Sequence, residues 1–192
     1  VFPLSGDGHL DDFVETSKRM VFLKSSLNGP STLYMSEICE GVPNDRKREA
    51  PIYVDACPTN LTKVNASLNE KQFGEFEQFN FKGWNDGTVH GYVIKPAKYV
   101  EGKKYPVAFL IHGGPQGSFG DGWSFRWNPQ SYAGAGYAVV MIDFHGSTGY
   151  GQKFTDAISD HWGDRPLEDL QKGWKYALEK YPFLDGDRAA AL

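Results

Sequence analysis

Val107-Ala108-Phe109-Leu110-Ile111 is an unbroken apolar run that ends in His112-Gly113-Gly114-Pro115, and its lack of alternation decides the fold class. A strand with one wet face alternates apolar and polar residues, whereas a parallel strand covered by helices on both faces is apolar throughout. A second such run, Ala138-Val139-Val140-Met141-Ile142, follows a short helical segment in which Asn128 is an N-cap, Pro129 the first helical residue, and Gly134 and Gly136 the stops. Downstream, Asp164 caps a segment whose Leu167, Leu170, Trp174, Ala177, Leu178 and Tyr181 keep one helical face until Pro182. Asp185 to Leu192 then reads as a turn and the start of another strand. The sequence predicts an α/β chain with right-handed crossovers.

Upstream of this core the pattern is β. Phe76-Glu77-Gln78-Phe79-Asn80-Phe81 and His90-Gly91-Tyr92-Val93-Ile94 read as two strands across Trp84-Asn85-Asp86-Gly87-Thr88, with Asp-Gly as the hairpin signal. Further back, Arg19 to Ser26 and Ser31 to Ser36 are strand-like runs joined by Leu27-Asn28-Gly29-Pro30. A lone hairpin buries too little surface to be stable, so it belongs to a larger sheet, a propeller blade or part of a sandwich. Gly41 to Lys71 is rich in Pro, Asn, Asp, Lys and Thr, which reads as a linker or excursion between domains. The expected division is residues 1–70 and residues 71–192.

Composition narrows the partners. The 192 residues are 40% hydrophobic and 15% aromatic, and 20 Lys plus Arg against 24 Asp plus Glu give a net charge of −4. No basic field exists to hold a nucleic acid, and no apolar run approaches the roughly 20 residues that span a bilayer. The chain starts at Val1 with no leader and stops in an apolar run at Leu192, so it is expected to be a segment of a longer protein.

Ligands in open α/β sheets sit at the carboxyl ends of the strands, which directs attention to the loops after Ile111 and Ile142. His112-Gly113-Gly114-Pro115 suits a turn whose backbone N–H groups face a cleft and hold an oxyanion; it equally suits a tight corner whose glycines only permit the dihedrals. In Asp143-Phe144-His145-Gly146-Ser147-Thr148-Gly149-Tyr150-Gly151, the alternating Asp143, His145 and Ser147 mimic a compressed triad. Alternating residues on an extended segment do not converge their reactive tips, however, and triads are assembled from distant loops. His145 also breaks Gly-x-Ser-x-Gly around Ser147, and Gln152 replaces the lysine that a phosphate loop requires. A structural glycine-rich turn at the rim of a site is the reading retained.

Asn60-Leu61-Thr62 and Asn65-Ala66-Ser67 are both N-glycosylation sequons, and together they point to a secreted, extracellular chain. Cys39 and Cys57, the only cysteines, either close as a disulfide in an oxidising compartment or remain unpaired thiols.

The segment Phe109 to Pro115, Asp143 with Gly146-Ser147-Thr148-Gly149-Tyr150-Gly151, Phe154, His161-Trp162-Gly163 and Asp169-Leu170 together resemble the prolyl oligopeptidase family of serine peptidases, in particular its secreted fungal dipeptidyl-peptidase branch. The resemblance covers the chain from about Phe79 onward. It implies that residues 1–70 hold the last hairpin or blade of an N-terminal β-propeller plus a linker, and that residues 71–192 are the first part of an α/β-hydrolase domain. It further implies a Ser, Asp and His triad located entirely after Leu192, with the serine on a Gly-x-Ser-x-Gly elbow, so that no catalytic residue lies in residues 1–192 and this stretch alone is inactive. His112, Gly113 and Gly114 correspond to the family's oxyanion-side loop, and His145 stands where many relatives carry Arg. Peptides are the implied substrates, dipeptides released from an N-terminus the implied products, and no metal or organic cofactor is implied. Another α/β-hydrolase, either an acylaminoacyl peptidase or an esterase, and a secreted glycoprotein with a non-catalytic propeller are the alternatives.

Overall fold

The computed structural model describes residues 8–40, 52–54 and 58–192. They fall into two units, one comprising residues up to Lys71 with Asp121–Arg126, the other Gln72–Gly120 with Trp127–Leu192.

The first unit is an antiparallel sheet of β1 (His9–Glu15), β2 (Arg19–Ser26), β3 (Gly29–Glu40) and β4 (Ile52–Val54) in that order, with β5 (Thr59–Asn60) also paired to β3. Met20 and Phe22 alternate into its core, and Phe22 stacks on its cross-strand neighbour Tyr34 at 5.8 Å, a pairing of the kind that stabilises sheets. Ser26 pairs with Gly29, so the turn is Leu27-Asn28 rather than the Asn28-Gly29 that the sequence signals. Leu27 is buried and its N–H donates to Asp121 Oδ1, which fixes that register. The stretch read as linker supplies β4 and β5 among its described residues. Neither shows a pattern of its own, because both are short and owe their order to pairing with β3. Cys57 and the side chain of Cys39 lie outside the described residues.

The second unit is built on a mixed sheet in the order β10-β8-β9-β7-β6. Here β6 (Phe76–Lys82) and β7 (Thr88–Ile94) form the expected hairpin, and β8 (Tyr105–Leu110), β9 (Ala138–Asp143) and β10 (Leu184–Ala191) run parallel to one another. Every residue of β9 is buried, as its apolar run demands of a strand covered on both faces. In the β6–β7 turn, the left-handed residues are Asn85 and Asp86, with φ of 50° and 54°. Short polar side chains tolerate that region, so Gly87 is not needed for it.

Helix α1 (Pro129–Gly134) begins as the sequence predicts, with Asn128 Oδ1 accepting from the Gln130 N–H at 2.9 Å. Buried Gln130 then grips the Gly74 backbone from both sides, accepting from its N–H at 2.8 Å and donating to its C=O at 2.9 Å. A short helix α2 (Gln152–Asp156) has no counterpart in the sequence reading. Helix α3 (Arg165–Lys180) does, but Asp164 does not cap it; its carboxylate instead meets His161 Nδ1 at 2.8 Å. Among the described residues, no helix is long and apolar enough to cross a membrane.

The face of α3 differs from the expected one. Its buried residues are Pro166, Asp169, Gly173 and Ala177, while Leu167 is half exposed and Leu170, Trp174 and Leu178 pack at the flanks. A helix that lies close on a sheet must put its smallest side chains along the line of closest approach. At its end, Glu77 Oε1 of β6 accepts from Lys180 Nζ at 2.7 Å and from the Tyr181 hydroxyl at 2.8 Å. Those two donors hold the Glu77 carboxyl below its ordinary range, and burial pushes the Tyr181 phenol up to about 12.

Gly173 gives a test of the close approach. A Cβ there would lie 2.3 Å from Ile142 Cδ1 and 2.5 Å from Phe81 Cζ. Alanine gains up to about 1 kcal/mol of helix propensity, whereas overpacking a filled core costs about 1–3 kcal/mol. Gly173→Ala in the full-length protein should therefore lower its denaturant midpoint, and a raised midpoint would refute the packing described.

Candidate functional site

Two loops leave the carboxyl ends of β8 and β9. The first, from Ile111 to Gly120, carries His112, Gly113 and Gly114; the second, from Phe144 to Gly151, carries His145, Ser147 and Tyr150. Gly113 and Gly114 are exposed, and among the described residues their N–H groups have no hydrogen-bond acceptor. The peptide bond from Gly114 to Pro115 is cis. Two contacts hold the far side of this loop: the Thr148 N–H donates to Gly117 O, and the Phe119 N–H donates to Asp143 Oδ1 at 2.8 Å.

Asp143 is wholly buried at the end of β9. Its Oδ2 accepts from the Tyr150 hydroxyl at 2.6 Å, so the carboxylate joins both loops. Burial, and then the adjacent Asp143 charge, push the Tyr150 phenol far above its ordinary value; Tyr150 stays protonated and remains a donor. Its ring stacks on His90 at 4.8 Å.

His112 is fixed on three sides. Its ring lies on Phe144 at 4.4 Å, Nδ1 faces Gly113 O at 2.9 Å, and Nε2 meets Ser147 Oγ at 2.8 Å. A carbonyl only accepts, which assigns the ring proton to Nδ1 and leaves Nε2 to accept from the serine hydroxyl. Asp143 Oδ1 is 3.7 Å from Nε2. Serine and aspartate thus address the same ring nitrogen, whereas a catalytic triad places them on opposite nitrogens. Ser147 also has no exposed surface, so no substrate carbonyl reaches it. The arrangement braces a loop.

His145 turns away from that cluster. Its backbone N–H and its Nδ1 both donate to Asp169 Oδ2, at 2.7 and 2.6 Å, and Asp169 Oδ1 accepts from the Trp84 N–H at 2.7 Å. The imidazole stacks on Phe154 at 4.2 Å and meets the edge of Trp84, whose face carries the Arg165 guanidinium at 4.2 Å. A Cβ on Gly83 would stand 2.2 Å from Asp169 Oδ1, so glycine is required before Trp84 for the carboxylate to reach its donors. Asp143, His145 and Ser147 therefore form no relay of their own: His145 goes to Asp169, while Ser147 and Asp143 both face His112.

The sequence reading did not single out Asp169 as a site residue. Its position offered a signal: it falls four residues before Gly173 and eight before Ala177, on the stripe that is buried. Among the described residues, no group of three or more His, Cys, Asp or Glu side chains is placed to hold a metal ion. Asn60 and Asn65 lie in the first unit.

Residues 123–192 match the model of the prolyl oligopeptidase family. Over those residues the chain is similar to that family. Dipeptidyl-peptidase 5 of Aspergillus fumigatus is 47% identical over 147 residues, 73% of this chain and 20% of that protein. Dipeptidyl-peptidase 5 of Schizosaccharomyces pombe is 45% identical over 145 residues, 70% of this chain and 21% of that protein. The chain spans about a fifth of the length of these relatives. Among solved structures, Pyrococcus horikoshii acylaminoacyl peptidase superposes with a TM-score of 0.76 at 24% identity, covering 97% of this chain and 27% of that one. A Mycobacterium tuberculosis puromycin-hydrolyzing peptidase gives 0.70 at 20% identity, covering 95% and 26%. These two structures show a shared fold.

Asp169 gives a direct test of this site. Asn in its place presents one NH₂ where two carboxylate oxygens now accept, so either amide orientation leaves a buried N–H facing another donor. Losing a charge-assisted bond while stranding a buried donor costs about 2–4 kcal/mol. Asp169→Asn should lower the chemical-denaturation stability of the full-length protein by that amount, while Asp160→Asn, on an exposed turn, should leave it in place.

Proposed function

We propose that the full-length protein is a secreted serine exopeptidase that releases dipeptides from the N-terminus of peptides. The 45–47% identity to fungal dipeptidyl-peptidase 5 proteins carries this reading. The antiparallel sheet β1-β2-β3-β4 is read as the closing blade of a propeller, and the β10-β8-β9-β7-β6 sheet as the first part of an α/β-hydrolase domain.

The geometry supports a division of labour. The exposed Gly113 and Gly114 backbone, braced from behind by His112, Ser147 and Asp143, offers fixed N–H donors to an oxyanion, and donors oriented in advance are what lower an acyl-transfer barrier. The Ile111 N–H donates to Leu192 O and the Leu192 N–H donates to Phe109 O, so the chain leaves β10 beside this loop. A nucleophile elbow directly following β10 would face those donors. Its serine Oγ would bond to the substrate carbonyl carbon while its proton passes to histidine. Collapse of the tetrahedral oxyanion would then break the C–N bond, with that proton going to the leaving amine, and water would release the dipeptide from the ester. On this reading the triad residues follow Leu192.

Fluorophosphonate labelling of the full-length enzyme locates the nucleophile: the modified serine should lie C-terminal to Leu192, and phosphonylated Ser147 would overturn the assignment.

The fold shared with acylaminoacyl peptidases favours one second reading, cleavage after an N-acylated residue. Protein recovered from culture medium should hydrolyse dipeptide p-nitroanilides with a free N-terminus faster than their N-acetyl forms. The reverse order favours the second reading, and recovery from the cytosol alone refutes secretion.

A further inference from the structure

We infer that Asn60 is the glycan acceptor of this chain and that Asn65, although it heads an intact sequon, is a structural pin of the β2–β3 hairpin. The inference rests on the secreted reading only for its biological setting; the difference between the two asparagines is geometric.

The Asn65 amide is already committed. Its Nδ2 donates to Ser31 O at 3.0 Å and to Thr32 Oγ1 at 3.1 Å, with Pro30 O at 3.5 Å. The Thr32 hydroxyl in turn donates to Pro30 O at 3.2 Å. Both Nδ2 protons are thus consumed within a network that ties the chain after β5 to the start of β3. Asn65 also stands at the N-cap of the 3-10 turn Ala66–Glu70, yet makes no capping bond. Asn is among the preferred N-cap residues, so its side chain forgoes the local partner for the hairpin.

Glycan transfer joins Nδ2 to the anomeric carbon of an oligosaccharide carried on a polyprenyl diphosphate. The bond from that carbon to the diphosphate oxygen breaks, the lipid diphosphate leaves, and one Nδ2 proton is lost. At Asn65 the product would keep a single N–H where Ser31 O, Thr32 Oγ1 and Pro30 O now accept, and a sugar would occupy the half-buried space against Ser31 and Thr32. At Asn60 nothing is displaced among the described residues. Asn60 is exposed on the short strand β5, its Oδ1 accepts from the Thr62 N–H at 2.9 Å, and its Nδ2 has no hydrogen-bond partner among the described residues.

The test uses the full-length protein routed through the endoplasmic reticulum of a eukaryotic host by an appended signal sequence. Acceptor choice is thereby read whether or not the native protein is secreted, a question that the culture-medium assay answers separately. Enzymatic deglycosylation in heavy-oxygen water converts each formerly glycosylated Asn to labelled Asp, and trypsin cleavage after Lys63 separates the two sequons. Label is expected on Asn60 alone; label on Asn65, or none on Asn60, overturns the assignment. Two variants read the structural half. Asn65→Ala should lower the unfolding midpoint by about 2–4 °C, whereas Asn60→Gln should remove the glycan mass and leave glycan-free samples with an unchanged midpoint. An unshifted Asn65→Ala protein refutes the pin.

Discussion

Asp169 lies on the inner face of α3 with none of its surface in water, and three donors from two other elements converge on its carboxylate. The Trp84 N–H comes from the turn between β6 and β7; the backbone N–H and Nδ1 of His145 come from the loop after β9. A buried carboxylate is costly to desolvate and stable only when its lone pairs are filled. Helix, turn and loop are therefore locked together: moving any one strands a charge or a donor. Gly83 and Gly173 follow from the same constraint, since each leaves out the side chain that would hold the helix away from the sheet.

With His145 anchored there, the rest of the second loop is committed to the first. Asp143 joins Phe119 and Tyr150, Ser147 holds His112, and Thr148 holds Gly117. The consequence is a glycine turn whose exposed amides are positioned by buried polar groups rather than by their own flexible backbone. Chemistry that depends on preorganised dipoles needs such bracing. The side chains that look most reactive, Ser147 and His145, spend their hydrogen-bonding capacity inside the scaffold.

Much of the second unit was legible. The apolar run of β9 announced a strand buried along its whole length, and Asn128-Pro129 announced the start of α1; the run of β8 overreached, since Ile111 lies past the strand and is exposed. Asp164 misled because a residue of N-cap type next to a helix need not use its side chain there; His161 competed for it and won. Leu167 misled for a related reason: periodicity finds an apolar stripe, but the line of closest packing went to small residues beside it. Strands β4 and β5 left no trace because short strands borrow their order from a neighbour.

The sequence by itself determined the parallel strands, the helices α1 and α3 and the glycine turns at the carboxyl ends of β8 and β9. Those are local properties, set by the period of hydrophobicity and the dihedral limits of Gly, Pro and Asn. Only the tertiary structure decided which polar groups meet. His112 with Ser147, His145 with Asp169 and Asn65 with the β2–β3 hairpin each join residues more than twenty positions apart. Pairing at that separation is selected by burial, because each polar atom removed from water takes whichever partner the folded chain brings within reach.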